Sequence, residues 1–231
     1  MKQAFGLIEL LFWGAVAFLI ASHANDIVVW GLTALYSDPS KAPAVVLSNL
    51  AYISPVFPLA LGLIAIARIK LDGARVNDIV GFSAQRLPGD ILLGAAAGAV
   101  SLFVSIASMR IASQYLPMPP FHLMPPSLHV YFATIGAIIP GFCEELYFRG
   151  LMFRSGRALS KALVLVLTAA AFSLWHIGSP AYLPHTFMLG LIFGAIVWRV
   201  DRIMPAIIAH CCANAGVGIL LLNGFVIAPA V

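Results

Sequence analysis

The sequence predicts an all-α protein, a polytopic bundle of transmembrane helices, and three observations carry that prediction. Of 231 residues, 61% are hydrophobic and only 10% charged, whereas a soluble domain is about a quarter charged. Apolar stretches repeatedly approach the ~20 residues that a helix needs to cross a ~30 Å hydrocarbon core. Runs such as 162–171 and 203–209 do not alternate apolar with polar residues, as the strands of a membrane barrel must. One membrane domain is expected over residues 1–231, with no soluble domain beside it.

Taken in order, helices are expected at about 5–24, 44–67, 90–115, 128–158, 161–178, 184–199 and 203–223. That gives seven or eight spans, with seven as the working count. The first resembles a signal peptide, because Lys2 precedes an apolar run and Ser22 and Ala24 mimic a cleavage site. Glu9 interrupts that run, however, and an apolar patch follows Asp26, so a retained helix is expected. Basic residues gather after the second helix (Arg68, Lys70, Arg75, Arg86), after the fourth (Arg154, Arg157, Lys161) and after the sixth (Arg199, Arg202). The alternate linkers hold Asp26, Asp38 and a single cation, Lys41. Cations concentrate on the cytoplasmic side, so the N-terminus is expected inside. The compact chain suits a bacterial cytoplasmic membrane.

The net charge of +4 is spread over these linkers and forms no basic stripe, so a lipid surface is the expected partner and nucleic acid is not. Gly94 with Gly98 and Gly190 with Gly194 are spaced for close helix approach within one protein. Cys143, Cys211 and Cys212 lie in apolar segments without metal or disulfide spacing and are expected to be small core residues. No internal repeat or transporter-like pair of broken helices is visible. The sequence leaves the oligomeric state open.

Away from linkers and helix ends, the ionisable groups are chiefly Glu144, Glu145, Arg149, His176 and His210. Such groups cost at least a few kcal/mol at membrane depth and are functional candidates by default. Counted from the basic linkers at ~1.5 Å per residue, Glu144 lies about 15 Å deep, His210 about 12 Å and His176 roughly 22 Å. One shared site near the midplane is therefore expected, with Pro140 available to kink the fourth helix. Glu145 and Arg149 are four apart and share a helix face, so they are expected to pair. Glu144 points elsewhere and is free to act as a base on water, with Tyr147 and Phe148 walling its side of a pocket. His210 with Asn214 forms a second i, i+4 pair, and His176 closes a spacing of four from Phe172. These side chains can donate to an oxyanion, or His176, His210 and Glu144 can ligate a divalent metal such as zinc. His23, His122, His129 and His185 lie near helix ends or prolines and read as interfacial groups.

The segments Glu144-Glu-Leu-Tyr-Phe-Arg149-Gly150, Phe172-Ser-Leu-Trp-His176 and His210-Cys-Cys-Ala-Asn214 resemble, in order and spacing, the three motifs of the CPBP family. That family comprises CAAX prenyl proteases and bacteriocin-processing enzymes and is also called Abi. The resemblance covers about residues 128–224 as a catalytic core, leaving 1–127 as variable N-terminal helices. It implies an intramembrane endopeptidase acting on a peptide or a membrane-associated protein. Glu144 would activate water, and His176, His210 and Asn214 would complete the site. Glu145, Arg149, Phe148 and Phe172 would support it. Enzymes of this kind are grouped with metalloproteases, although the part played by a metal is open. The family also contains members described as immunity or scaffold proteins. A non-catalytic membrane partner is therefore the second reading of the same residues, and a proton-coupled transporter the third.

Overall fold

The computed structural model describes residues 2–35, 54–116, 126–177 and 180–225, apart from the side chains of residues 25 and 27–35. Its regular elements are all helical. Among the described residues five segments are long and apolar enough to cross a membrane: Lys2–Ala24, Leu87–Ala112, Pro126–Ala158, Pro180–Val200 and Met204–Leu222. The apolar helix Lys161–Leu174 is shorter, about 21 Å at the α-helical rise. The N-terminal part of the expected 44–67 helix lies outside the described residues, as do Asp38, Lys41 and His122.

The first helix, α1 (Lys2–Leu35), continues through Asp26 without a break. Helix α2 (Val56–Leu71) is followed by a short α3 (Val76–Val80), which the apolar pattern does not reveal. Gly81 ends α3 with the left-handed φ of 71° that glycine adopts without strain. Helix α4 (Leu87–Ala112) carries Pro88 in its first turn, where a missing N–H costs nothing.

The single helix expected over 128–158 is instead a series of segments. Helix α5 (Pro126–Ala133) stops at Thr134, whose backbone lies at φ −125°, ψ −99°. The hydroxyl of Thr134 donates to Val130 O at 2.7 Å, satisfying a carbonyl freed by the break. Helix α6 (Ile135–Glu145) then passes into a π-helical stretch, Leu146–Met152, and ends in the short turns Phe153–Ser155 and Gly156–Ala158. Helix α7 (Lys161–Leu174) is capped by Ser160, whose hydroxyl accepts from the Leu163 N–H. It stops short of the expected residue 178, leaving His176 in the turn beyond it. Helices α8 (Leu183–Val200) and α9 (Met204–Leu222) both carry proline in their first turn.

Helix α9 is central and packs on α4, α5, α6 and α8, while α7 packs on α8 and α2 on α6 and the π stretch. The small-residue faces account for two of these contacts. A Cβ on Gly94 would stand 2.6 Å from Ile208 Cβ, and one on Gly98 2.6 Å from Cys212 Cβ, both on α9. A Cβ on Gly190 would meet Ala169 Cα of α7 at 2.8 Å. Cys143 is buried and Cys211 half-buried, but Cys212 is exposed, so only the first two fit the expected core role.

The basic linkers meet at one end of the bundle, where Asp78, Arg154, Arg157, Lys161, Asp201 and Arg202 border a common cavity. Residue 6 of α1 packs against Ser155 and Ala158 there, bringing the N-terminal end of α1 to the same side. Arg202 Nε bonds to Asp90 Oδ1 at 3.1 Å, and Arg68 bonds to Glu9 at 3.1 Å and also to Asp72. Arg75 and Asp78 pair in the open at 3.1 Å, an arrangement that holds the Asp78 carboxyl below its ordinary value.

Candidate active site

The last residues of α6 bring two carboxylates into the protein interior with different partners. Glu145 is fully buried, and its Oε1 accepts from Arg149 Nη1 at 2.8 Å, one helical step along. Arg149 Nη2 donates to the Gly190 carbonyl of α8 at 3.1 Å. The guanidinium lies 4.5 Å from the Phe172 ring centroid and 5.5 Å from that of Phe193, distances at which ring quadrupoles favour a cation. Phe148 packs edge-on against Phe172 at 5.2 Å.

Glu144 turns the other way, as successive helical residues must. Its Oε1 accepts from Trp175 Nε1 at 3.0 Å, and its Oε2 stands 4.0 Å from His210 Nε2. The walls of Glu144's pocket differ from those expected. Tyr147 and Phe148 are buried behind the site, with the Tyr147 hydroxyl donating to Trp13 O at 2.7 Å. Phe172 and Trp175 take their place in the cavity wall.

His210, on α9, links the two carboxylates. Its Nδ1 lies 2.9 Å from Glu145 Oε1, and its ring stacks on Phe193 at 5.2 Å. An ionised carboxylate that already accepts from Arg149 has no proton to give, so His210 must donate Nδ1–H. Its Nε2 therefore faces Glu144 as a lone pair when the ring is neutral and as a donor when the ring is protonated. His176 is fixed in the same sense, because its Nδ1 lies 2.9 Å from the Phe172 carbonyl, which can only accept. Glu145 thus orients His210 as well as neutralising Arg149, a role that the helical angle did not reveal.

Glu144, Phe172, Trp175, His176, His210 and Asn214 border one cavity of about 220 Å³, which is also lined by apolar side chains including Phe57, Met109 and Leu221. The residues nominated from sequence on α6, on α7 with the turn after it, and on α9 are thus gathered by the fold, with Glu145 and Arg149 directly behind the wall. Two contributors were missed. Trp175 could have been flagged by an indole N–H that needs a partner when buried in an apolar segment. His185, read from sequence as interfacial, is instead buried on the first turn of α8 and lines the same cavity. His129 is also buried, and His23 alone of the described histidines in that group is exposed, bonding to Leu19 O.

The metal-ligand set suggested by sequence does not assemble in this arrangement. Among the described residues no three His, Cys, Asp or Glu side chains are placed to hold one ion.

Fold and site together define a helical membrane protein with a carboxylate, histidine and asparagine cavity among its helices. Residues 126–216 match the family described as "Type II CAAX prenyl endopeptidase Rce1-like", consistent with the CPBP motifs. The matched segment runs from α5 into α9 and contains all three motifs. No curated protein and no solved structure matches the chain.

Proposed function

We propose that this protein is an intramembrane endopeptidase that hydrolyses a peptide bond with water activated by Glu144. The observation that carries this reading is the 4.0 Å gap between Glu144 Oε2 and His210 Nε2 on the wall of the cavity. That separation is too long for a direct hydrogen bond and suits a water molecule bonded to both groups.

Attack on the substrate carbonyl passes the water proton to Glu144 and the hydroxide to carbon. The resulting oxyanion needs donors already in place. The Asn214 carboxamide can donate in any protonation state, whereas His176 and His210 can do so from Nε2 only when protonated, since their Nδ1–H groups are committed. As the tetrahedral intermediate collapses, Glu144 returns the proton to the leaving amine and the carbon–nitrogen bond breaks. Trp175 positions the carboxylate, and Glu145 with Arg149 positions His210. No step is assigned to a metal, because the donor set does not converge on one point.

The reading includes seven spans with the basic linkers and N-terminus in the cytoplasm, following the charge asymmetry, and a bacterial cytoplasmic membrane as the location. The apolar cavity favours an unfolded peptide or membrane-associated protein segment as substrate. The test is turnover of a peptide library by purified protein, with metal content measured and Glu144→Ala compared. Loss of cleavage by a folded variant is expected, and undiminished turnover would remove Glu144 from the mechanism.

A further inference from the structure

A second cavity, of about 270 Å³, lies at the basic end of the bundle and is bordered by Arg149. Five cations (Arg149, Arg154, Arg157, Lys161 and Arg202) line it, against the carboxylates of Asp78 and Asp201. Most of the remaining charge is already matched. Arg149 pairs with Glu145, Arg202 with Asp90, and Asp78 with Arg75. Arg154, Arg157 and Lys161 form no salt bridge among the described residues.

Two further features indicate what such a cavity takes. Arg149, which borders the cavity, is 2% exposed, and its Nε has no hydrogen-bond partner. At the rim, Trp198 is 43% exposed and Lys161 Nζ lies 5.8 Å from its ring centroid. An exposed tryptophan beside cations at the end of a transmembrane helix marks the headgroup level of a bilayer.

We infer that this cavity binds the phosphate group of an anionic lipid of the leaflet at the basic end of the bundle. Basic pockets between transmembrane helices suit lipid phosphate, since each cation near such a surface contributes about 1 kcal/mol, or roughly fivefold in affinity. The inference does not depend on the endopeptidase reading, because none of Arg154, Arg157 and Lys161 borders the Glu144 cavity.

The test measures lipid binding to purified full-length protein by native mass spectrometry, with dioleoylphosphatidylglycerol titrated against dioleoylphosphatidylcholine. An Arg157→Gln, Lys161→Gln double variant removes two exposed cations from the cavity. A Lys70→Gln, Arg86→Gln double variant removes two exposed cations that do not line it. The lining variant is expected to bind phosphatidylglycerol roughly ten- to thirtyfold more weakly. The comparison variant and the weaker phosphatidylcholine binding should hardly change. Equal losses in both double variants would reduce the effect to diffuse surface charge and overturn the site, as would no loss in either. Inorganic phosphate is titrated as a separate arm. Phosphate binding as tight as that of phosphatidylglycerol, and lost in the lining variant, would overturn the lipid source in favour of a soluble phosphate; phosphate binding much weaker than that of phosphatidylglycerol supports the headgroup.

Discussion

Replacing each adjacent glutamate with glutamine tests whether the two have different tasks. Glu145→Gln leaves the shape of the side chain but removes the negative charge that faces both Arg149 and His210. Arg149 is then a buried cation with a carbonyl and aromatic faces around it but no counter-charge. Removing one partner of a buried pair costs about 3–5 kcal/mol. At about 2–4 °C per kcal/mol for a chain of this size, the thermal midpoint should fall by roughly 6–20 °C. Glu144→Gln differs because Glu144 has no cation in direct contact. Its amide oxygen can still accept from Trp175, so the midpoint should stay within about 4 °C of wild type, a change of ~1 kcal/mol. Fluorescence-detected size exclusion of heated, detergent-purified protein measures both midpoints. A Glu145→Gln midpoint within 2–4 °C of wild type, or about 1 kcal/mol, would refute the pairing. So would a Glu144→Gln drop as large as that of Glu145→Gln.

Three other substitutions test separate contacts. Trp175→Phe keeps an aromatic ring in the cavity wall but removes the N–H that holds Glu144, so kcat should fall about ten- to hundredfold, as for loss of a bond to a charged group. Steady-state kinetics should show KM little changed, and a KM effect alone would make Trp175 a substrate contact instead. Asn214→Ala should lower kcat by about 10²–10³-fold, the usual cost of losing an oxyanion donor; near-normal single-turnover rates would exclude that role. Gly98→Val places a side chain against Cys212 and the Ala209 carbonyl. An overpacking cost of about 1–3 kcal/mol should lower the thermal midpoint and the yield of folded protein, and unchanged values would show that α4 and α9 can separate freely.

The part of the site set by one helix was legible in the sequence, and the part set between helices was not. Glu145 and Arg149 pair as their spacing requires, because a four-residue step keeps them on one face even where α6 becomes π-helical. The same angular argument separates Glu144 from Glu145. It gives no information about what meets Glu144, and that partner, Trp175, comes from the turn after α7. His185 was misread because proximity to Pro184 suggested an interface, whereas the proline starts α8 and its first turn faces inward. The break at Thr134 was also hidden, since neither glycine nor proline stands there and the Thr134 hydroxyl compensates locally for the interrupted helix. The bond from His210 to Glu145 is the most consequential contact of this kind. Sequence spacing pairs His210 with Asn214, but the fold ties its Nδ1 to Glu145 and leaves Nε2 for the cavity. In the proposed mechanism that bond would make the supporting carboxylate part of the proton chemistry, because Glu145, paired with Arg149, sets the direction in which His210 can donate.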